Sequence, residues 1–265
     1  MRTHPFAAGR PATERLVAVS GVAWLYAAGV LGGVVSVVAS LASLVSYPAL
    51  LAIGLPPLAA NVTNTTALVF VGFGSAAGSR PELAGQRSRL WRLGLLNTAG
   101  GAIGAALLLL TPASAFEAVV PWLIAGASVV LLLGPRLRRD EPGGREDSRL
   151  LLVGVLAVAV YTGYFGAAGG VLVLAVLTAL LELPLPRTNA IKNVISAVAN
   201  AAAALAFAVF GPVDWAAVAP LALGFLTGGW IGPALVRRLP PGPLRIFIGV
   251  CGLAVAAKLA LDTYT

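Results

Sequence analysis

The sequence contains very few of the residues that build catalytic, metal or redox sites. Of its 265 residues 11% are charged, one is a cysteine and one is a histidine. A single cysteine cannot form a disulfide or a cysteine metal site within one chain, and His4 lies in the N-terminal tail. We recognise no pairing of a nucleophile with a base and no cluster of metal ligands. The sequence therefore predicts a protein that is not an enzyme and that needs no metal or cofactor.

Acidic residues are also scarce, with ten Asp and Glu against eighteen Lys and Arg. All ten fall in loops or at the ends of apolar segments, whereas a cationic substrate would need a carboxylate within the membrane. The excess positive charge lies in short loops beside apolar segments, which is typical of topology determinants rather than of a nucleic-acid surface. We therefore expect no nucleic-acid partner.

Long apolar runs dominate what is present. Hydrophobic residues make up 58% of the chain, and the mean hydropathy is +0.92. About 20 apolar residues in a helix cross the hydrocarbon core of a bilayer, so the sequence predicts an all-α polytopic protein of the cell membrane. The N-terminal run is too long for the core of a signal peptide, so we expect it to be retained. Eight apolar segments are predicted, at residues 16–55, 60–78, 93–110, 119–133, 150–181, 190–210, 215–235 and 244–261.

The eight segments fall into two similar halves within a single transmembrane domain, residues 1–265. The first repeat is expected at 16–134 and the second at 150–262, joined by a charged linker at 135–149. Arg-rich loops mark the cytoplasmic side, which includes this linker, and the uncharged loops at 111–115 and 211–214 belong outside. These assignments give the two repeats opposite orientations, so the sequence predicts inverted-topology repeats.

Each half opens with a segment too long for one helix, followed by a turn with proline and by the pair Thr-Asn. The pairs are Thr63-Asn64 and Thr188-Asn189. We expect each long segment to be a broken or re-entrant helical hairpin. Interrupted segments at matching positions in two halves point to a transporter binding site near the midplane of the membrane.

The candidate substrate-binding residues surround the two Thr-Asn pairs and the second hairpin. Helix N-termini with hydroxyl and amide donors can bind an anion. The alternative is that the Thr and Asn side chains cap helices or join them by hydrogen bonds. The candidates are Asn61, Thr63, Asn64, Gly166, Gly169, Gly170, Thr188, Asn189, Lys192 and Asn193.

Lys192 is the most specific of these candidates. It lies about one turn into an apolar helix, where an ionisable group indicates function. The alternative is that its side chain extends back to the cytoplasmic surface. Beside it, Asn193, Ser196 and Asn200 recur at intervals of three and four, so they share one helical face that we expect to point inward.

Several motifs give the chain a resemblance to the TauE/SafE sulfite exporter family. They are Gly166-Ala-Ala-Gly-Gly170, Thr188-Asn-Ala-Ile-Lys-Asn193, Gly211-Pro-Val-Asp-Trp215 and Gly228-Gly-Trp-Ile-Gly232, the last leading to Arg237-Arg-Leu-Pro240. The first repeat departs from the family pattern, with Leu41-Ala-Ser43 where glycines are usual. The resemblance implies transport of sulfite, sulfonates or related sulfur-containing or organic anions.

Together these features predict a secondary transporter or permease for a small anion, which it exports by alternating access. The lipid bilayer and a small anionic solute are the expected partners, and the sequence leaves homo-oligomerisation open. Two alternatives within transport are an importer coupled to a cation and a channel-like anion pore. A membrane scaffold without transport activity is the third alternative.

Overall fold

The computed structural model of the protein describes residues 12–39, 41–133, 149–166, 169–181, 183–236 and 241–264. These ranges form helices and short connections and contain no strand. A helix satisfies its own backbone hydrogen bonds, which lipid cannot do. The helices are α1 (Ala12–Ala39), α2 (Ala42–Ala52), α3 (Pro57–Gly78), α4 (Arg80–Leu83), α5 (Arg87–Leu110), α6 (Ala113–Leu133), α7 (Arg149–Tyr164), α8 (Gly169–Leu180), α9 (Leu185–Phe210), α10 (Trp215–Val236) and α11 (Pro241–Tyr264).

Within the described ranges, three helices are long and apolar enough to cross a membrane, at Arg87–Leu110, Pro186–Phe210 and Trp215–Leu235. Five shorter apolar helices accompany them, in α1, α2, α6, α7 and α8. Large apolar side chains also cover the outside, for example Leu110, Leu205 and Phe210. A water-soluble protein rarely exposes extensive apolar patches, so this surface suits contact with lipid. The chain is a multi-pass membrane protein.

Both over-long segments are broken, as predicted. The first becomes α1 and α2, and the second becomes α7 and α8. Gly166, two residues after the end of α7, has a φ of +77°. This left-handed conformation strains any residue with a Cβ, so glycine permits the chain to leave the helix here. Residues 167 and 168 of the glycine motif lie outside the described residues.

The two helices after the hairpins begin earlier than the sequence suggested. Their N-caps are Pro56 for α3 and Pro184 for α9. Pro57 and Pro186 follow in the first turns, where a missing N–H breaks no helical hydrogen bond and the fixed φ of proline suits the helix. Thr63-Asn64 and Thr188-Asn189 therefore lie inside helices. The expectation that these pairs open their helices, and present free backbone N–H groups to an anion, is wrong.

The first helix of each half packs against helices of the other half. α1 lies mainly along α10, and α7 lies mainly along α5. α3 contacts both α10 and α9, and α9 contacts α5, so α3 and α9 meet at the centre of the described bundle. α6 and α11 form a separate pair. The hairpins α1–α2 and α7–α8 both pack beside this centre.

Glycines allow these helices to approach closely. A Cβ on Gly33 would lie 2.8 Å from the backbone nitrogen of Gly229, and one on Gly224 would lie 2.8 Å from the Cα of Gly29. The α5–α7 contact is built in the same way, since a Cβ on Gly163 would lie 2.9 Å from the Cα of Gly101. Small residues let membrane helices gain van der Waals contact in the absence of a hydrophobic driving force.

The charged linker predicted at 135–149 falls outside the described residues except for Arg149, which begins α7. The Arg237-Arg-Leu-Pro240 segment lies wholly outside the described residues.

Candidate functional site

A polar cavity of about 50 Å³ lies where both hairpins meet α3 and α9. A site for one water needs roughly 10–15 Å³ on this measure, so the cavity has room for a few waters or one small ion. We call it the central cavity. Its lining residues are Ser36, Ala42, Ser43, Leu68, Val71, Gly72, Thr162, Gly166, Gly170, Lys192, Asn193, Ser196, Ala197 and Asn200.

Lys192 is the only charged residue among the described residues of this lining, and none of them is a carboxylate. Its side chain is 2% exposed, and Nζ lies 3.5 Å from the carbonyl oxygen of Ser36 at the end of α1. The alternative in which Lys192 extends to the cytoplasmic surface is therefore wrong. A buried ammonium is costly unless charge or hydrogen bonds compensate it, so the cavity electrostatically favours an anion.

The inward-facing stripe on α9 also lines the cavity, as predicted. Asn193 and Asn200 are each 7% exposed. Asn193 Nδ2, Ser196 Oγ and Asn200 Oδ1 are buried and have no hydrogen-bond partner among the described residues. Leaving such groups unsatisfied costs about 1–3 kcal/mol each, so this polar stripe is an energetically costly feature of α9.

Two of the three candidate glycines at the second hairpin line the central cavity, and the third packs against a neighbouring helix. Gly166 and Gly170 line the central cavity. Gly169 does not, and a Cβ there would clash with the side-chain hydroxyl of Thr162. Thr162 itself donates to the carbonyl oxygen of Val158 at 2.8 Å. Gly169 therefore sets the distance between α7 and α8.

Two asparagines link the halves at equivalent places, each five residues after an N-cap proline. Asn61 Nδ2 donates to the carbonyl oxygen of Tyr164 at 3.0 Å, and Asn189 Nδ2 donates to that of Val37 at 3.3 Å. Both acceptors stand at the broken end of the opposite half's first helix. By these hydrogen bonds, the counterpart of Asn189 in the first half is Asn61 and not Asn64.

The other three candidates make hydrogen bonds within the protein. Asn64 accepts from Ser46 Oγ at 2.6 Å and donates to Ser43 Oγ at 3.1 Å, which fixes α2 against α3. Thr63 Oγ1 accepts from the backbone N–H of Asp214 at 3.0 Å, and Thr188 Oγ1 lies 3.3 Å from the carbonyl oxygen of Pro184. The two threonines therefore make local or interhelical hydrogen bonds, which was the alternative to substrate binding.

Two clefts lie on either side of the central cavity. The first, which we call the α6–α11 cleft, has about 620 Å³ and contains Glu117, Lys258 and Asp262. A small void of about 10 Å³ shares Pro48 and Val255 with this cleft and Ser43 with the central cavity. The rings of Tyr47 and Phe165, with centroids 5.8 Å apart, border this void. Aromatic side chains therefore narrow this route to the cavity.

The second cleft, which we call the α5–α8 cleft, has about 320 Å³ and contains Arg89 and Arg92. Three of its lining residues, Leu93, Leu151 and Leu181, belong to a buried apolar cluster. This cluster continues to Ile191 and Ile195, which flank Lys192 on α9. Apolar side chains thus pack between this cleft and α9, the helix that carries Lys192.

Ser36, Ser43 and Thr162 contribute to the cavity without having been predicted. Each is a single small polar residue in an apolar helix, a pattern that interhelical hydrogen bonds also produce. Ser43 could have been found from its position in the segment that replaces the glycines of the second hairpin.

A family model described as sulfite exporter TauE/SafE matches residues 25–259. The chain belongs to this family. It is 23% identical to a "Probable membrane transporter protein" of Haemophilus influenzae, over 93% of the chain and 97% of that protein. It is 24% identical to "Probable membrane transporter protein ORF9" of a Sinorhizobium species, over 91% of the chain and 93% of that protein.

A third TauE/SafE relative is "Probable membrane transporter protein YfcA" of Escherichia coli, 26% identical over 91% of the chain and 90% of that protein. No solved structure matches the chain significantly. The family is one of membrane transporters and not of enzymes. Among the described residues, no three His, Cys, Asp or Glu side chains are grouped to hold a metal ion.

Proposed function

We propose that the protein is a secondary transporter for a small anion such as sulfite, a small sulfonate or a related anion. The observation that carries the proposal is the central cavity, in which one buried lysine lies among polar groups and no described residue of the lining is a carboxylate. A cation would meet an unfavourable charge there. Membership of a sulfite exporter family supports the same class of substrate.

Alternating access is the mechanism that we propose. The Tyr47 and Phe165 rings narrow the route from the central cavity to the α6–α11 cleft, and apolar side chains pack between the α5–α8 cleft and α9. A transporter needs two constrictions that open in turn, whereas an open pore needs neither. Constrictions toward both clefts therefore support a transporter over a channel-like pore.

We further propose that the two halves are inverted repeats that share one site. The matched contacts of Asn61 and Asn189, and the matched packing of α1 on α10 and α7 on α5, support this arrangement. Substrate sites at the interface of inverted repeats are common in secondary transporters.

Inverted repeats predict that the α5–α6 and α9–α10 loops lie on the same, outer side. On a Cys251→Ala background, Ala113→Cys and Pro212→Cys should react with an impermeant maleimide in intact cells. Ser88→Cys, in the Arg-rich loop region, serves as the control and should react only after the membrane is permeabilised. Protection of Ala113→Cys or Pro212→Cys in intact cells would contradict the topology.

Export is the direction that we propose. An inside-negative potential supplies about 2.3 kcal/mol per elementary charge per 100 mV, so it drives a monovalent anion outward without a coupling ion. Import would require a coupled cation, and the described part of the cavity lining contains no carboxylate to bind one. The export hypothesis is therefore the simpler one.

Flux in proteoliposomes tests the proposed function. We expect isotope-labelled sulfite to cross in a saturable manner and to exchange against unlabelled sulfite on the other side. Protein-free liposomes give the background. Flux that rises linearly with concentration and shows no counterflow would indicate a channel-like pore. Absence of flux for sulfite, sulfonates and thiosulfate would contradict transport of this class of anion.

A further inference from the structure

We propose that a groove on the outer face of α5 binds one acyl chain of an anionic phospholipid, whose phosphate pairs with Arg87. The groove, which we call the α5 groove, has a volume of about 390 Å³ and shares no described lining residue with the central cavity. The inference therefore concerns the lipid partner of the protein and does not depend on the transported solute.

The shape of the groove follows from one face of α5. Arg87, Trp91, Gly94, Leu95 and Thr98 line it, and their spacing in the helix places them on one side. Gly94 provides the floor, because a Cβ there would have no described atom within 4 Å apart from the adjoining backbone of its own helix. Trp91 and Leu95 stand beside it and are 64% and 63% exposed. The missing side chain at Gly94 leaves room for a narrow apolar chain along the helix.

The length of the groove matches one leaflet of a bilayer. From Arg87 to Thr98 the helix rises about 16 Å, which is roughly half of the hydrocarbon core. Arg87 is the first residue of α5 and of its membrane-spanning range, so the groove starts at a membrane surface and ends near the midplane. An acyl chain of a lipid in that leaflet covers the same depth.

Charge favours an anionic lipid as the occupant. Arg87 is exposed at the surface end of the groove, and no described residue of the lining is acidic. Trp91 lies one turn further along α5, where tryptophan suits the membrane interface. Arginines near a membrane surface attract anionic headgroups, whereas the cation of a zwitterionic headgroup offsets this attraction. A phosphate at Arg87 and an acyl chain over Gly94 complement the two ends of the groove.

Quenching of Trp91 by brominated lipids tests the site. The protein is reconstituted at low salt into phosphatidylcholine bilayers that contain a small fraction of brominated phosphatidylglycerol or, in parallel, brominated phosphatidylcholine. The difference in fluorescence between the wild type and Trp91→Phe isolates the signal of Trp91 among the five tryptophans of the chain. We expect phosphatidylglycerol to bind about fivefold more tightly than phosphatidylcholine. Equal quenching by the two lipids would overturn the inference.

Substitution of the arginine assigns the headgroup to Arg87. In Arg87→Gln the preference for phosphatidylglycerol should fall to about one, because the charge at the surface end is removed. Arg80→Gln is the matched control, since Arg80 is also an exposed arginine of the same loop region but does not line the groove. It should keep most of the preference. An unchanged preference in Arg87→Gln, or an equal loss in both variants, would exclude a site at Arg87.

Filling the groove separates binding of the acyl chain from attraction of the headgroup. In Gly94→Leu the new side chain occupies the floor, so quenching of Trp91 by phosphatidylglycerol should fall to the level of phosphatidylcholine. Gly126→Leu is the control, because Gly126 lies inside α6, away from the groove, and a Cβ there is equally unobstructed. It should retain the preference. A retained preference in Gly94→Leu would show that no acyl chain occupies the groove.

A second copy of the chain is the competing occupant of this surface. It would shield Trp91 from both brominated lipids, so absence of quenching together with a dimeric mass by light scattering would overturn the lipid site. A preference for phosphatidylglycerol that is lost in Arg87→Gln and Gly94→Leu, and kept in both controls, supports the site whether or not sulfite flux is found.

Discussion

Replacing Lys192 by methionine should raise the anion concentration for half-maximal flux by about 10- to 100-fold. A hydrogen bond to a charged group contributes about 1.5–3 kcal/mol, and each 1.4 kcal/mol corresponds to a factor of ten in affinity. Methionine retains most of the length and volume of the side chain, so the cavity should keep its shape. The measurement is the concentration dependence of initial flux in proteoliposomes.

Lys258→Met is the matched control, because Lys258 is the other lysine of the chain and lies exposed beside the α6–α11 cleft. Water and salt screen a charge at that position, so its removal should change half-saturation much less. Lys192→Arg should retain part of the function, since it keeps the charge with a different geometry. Unchanged half-saturation in Lys192→Met would show that the asparagine stripe alone binds the solute.

Gly228→Ala should destabilise the protein by about 3 kcal/mol and reduce the amount of folded protein recovered from the membrane. A Cβ on Gly228 would lie 3.0 Å from the Cα of Gly33 and would also collide with the carbonyl oxygen of Val30. Backbone atoms cannot move aside as a flexible side chain can, so α1 and α10 would have to separate. Inserting one carbon into a well-packed contact commonly costs about 1–3 kcal/mol.

Gly94→Ala is the control for this prediction. Gly94 is also a buried glycine inside a long helix, but apart from the adjoining backbone of its own helix a Cβ there would have no described atom within 4 Å. Alanine is favoured over glycine in helices by about 1 kcal/mol, so this variant should be unchanged or more stable. Thermal unfolding in detergent measures both variants. Equal stability of the two would show that the α1–α10 contact can adjust.

Much of the helical architecture could be predicted because a long run of hydrophobic residues is a strong signal for a membrane helix. The runs ending at Leu110, Leu133 and Phe210 end with helices at those residues. Helix starts were predicted less well. The sequence predicts a segment that begins at residue 60, so the polar residues among 61–66 fall at its start, whereas α3 begins at Pro57 and contains them. Buried polar side chains resemble loop residues in composition, which explains the difference.

The candidate site was predicted in part. Lys192 and the stripe at Asn193, Ser196 and Asn200 could be found because helical periodicity within one segment places them on one face. Ser36 and Thr162 come from α1 and α7, and their approach depends on how those helices cross. Sequence spacing does not encode the distance between helices, so the contribution of these residues could not be predicted.

The packing of α1 on α10 has a consequence for biosynthesis. Roughly 180 residues separate the end of α1 from the start of α10, so at about 5–20 residues per second α1 waits roughly 10–40 s for its partner to be made. During this interval the face that carries Gly29 and Gly33 lies open to lipid or to other nascent helices. Small residues four apart form a surface on which membrane helices readily dimerise. Correct assembly therefore requires that α1 be kept from premature partners, by the insertion machinery or by weak contacts that α10 can displace.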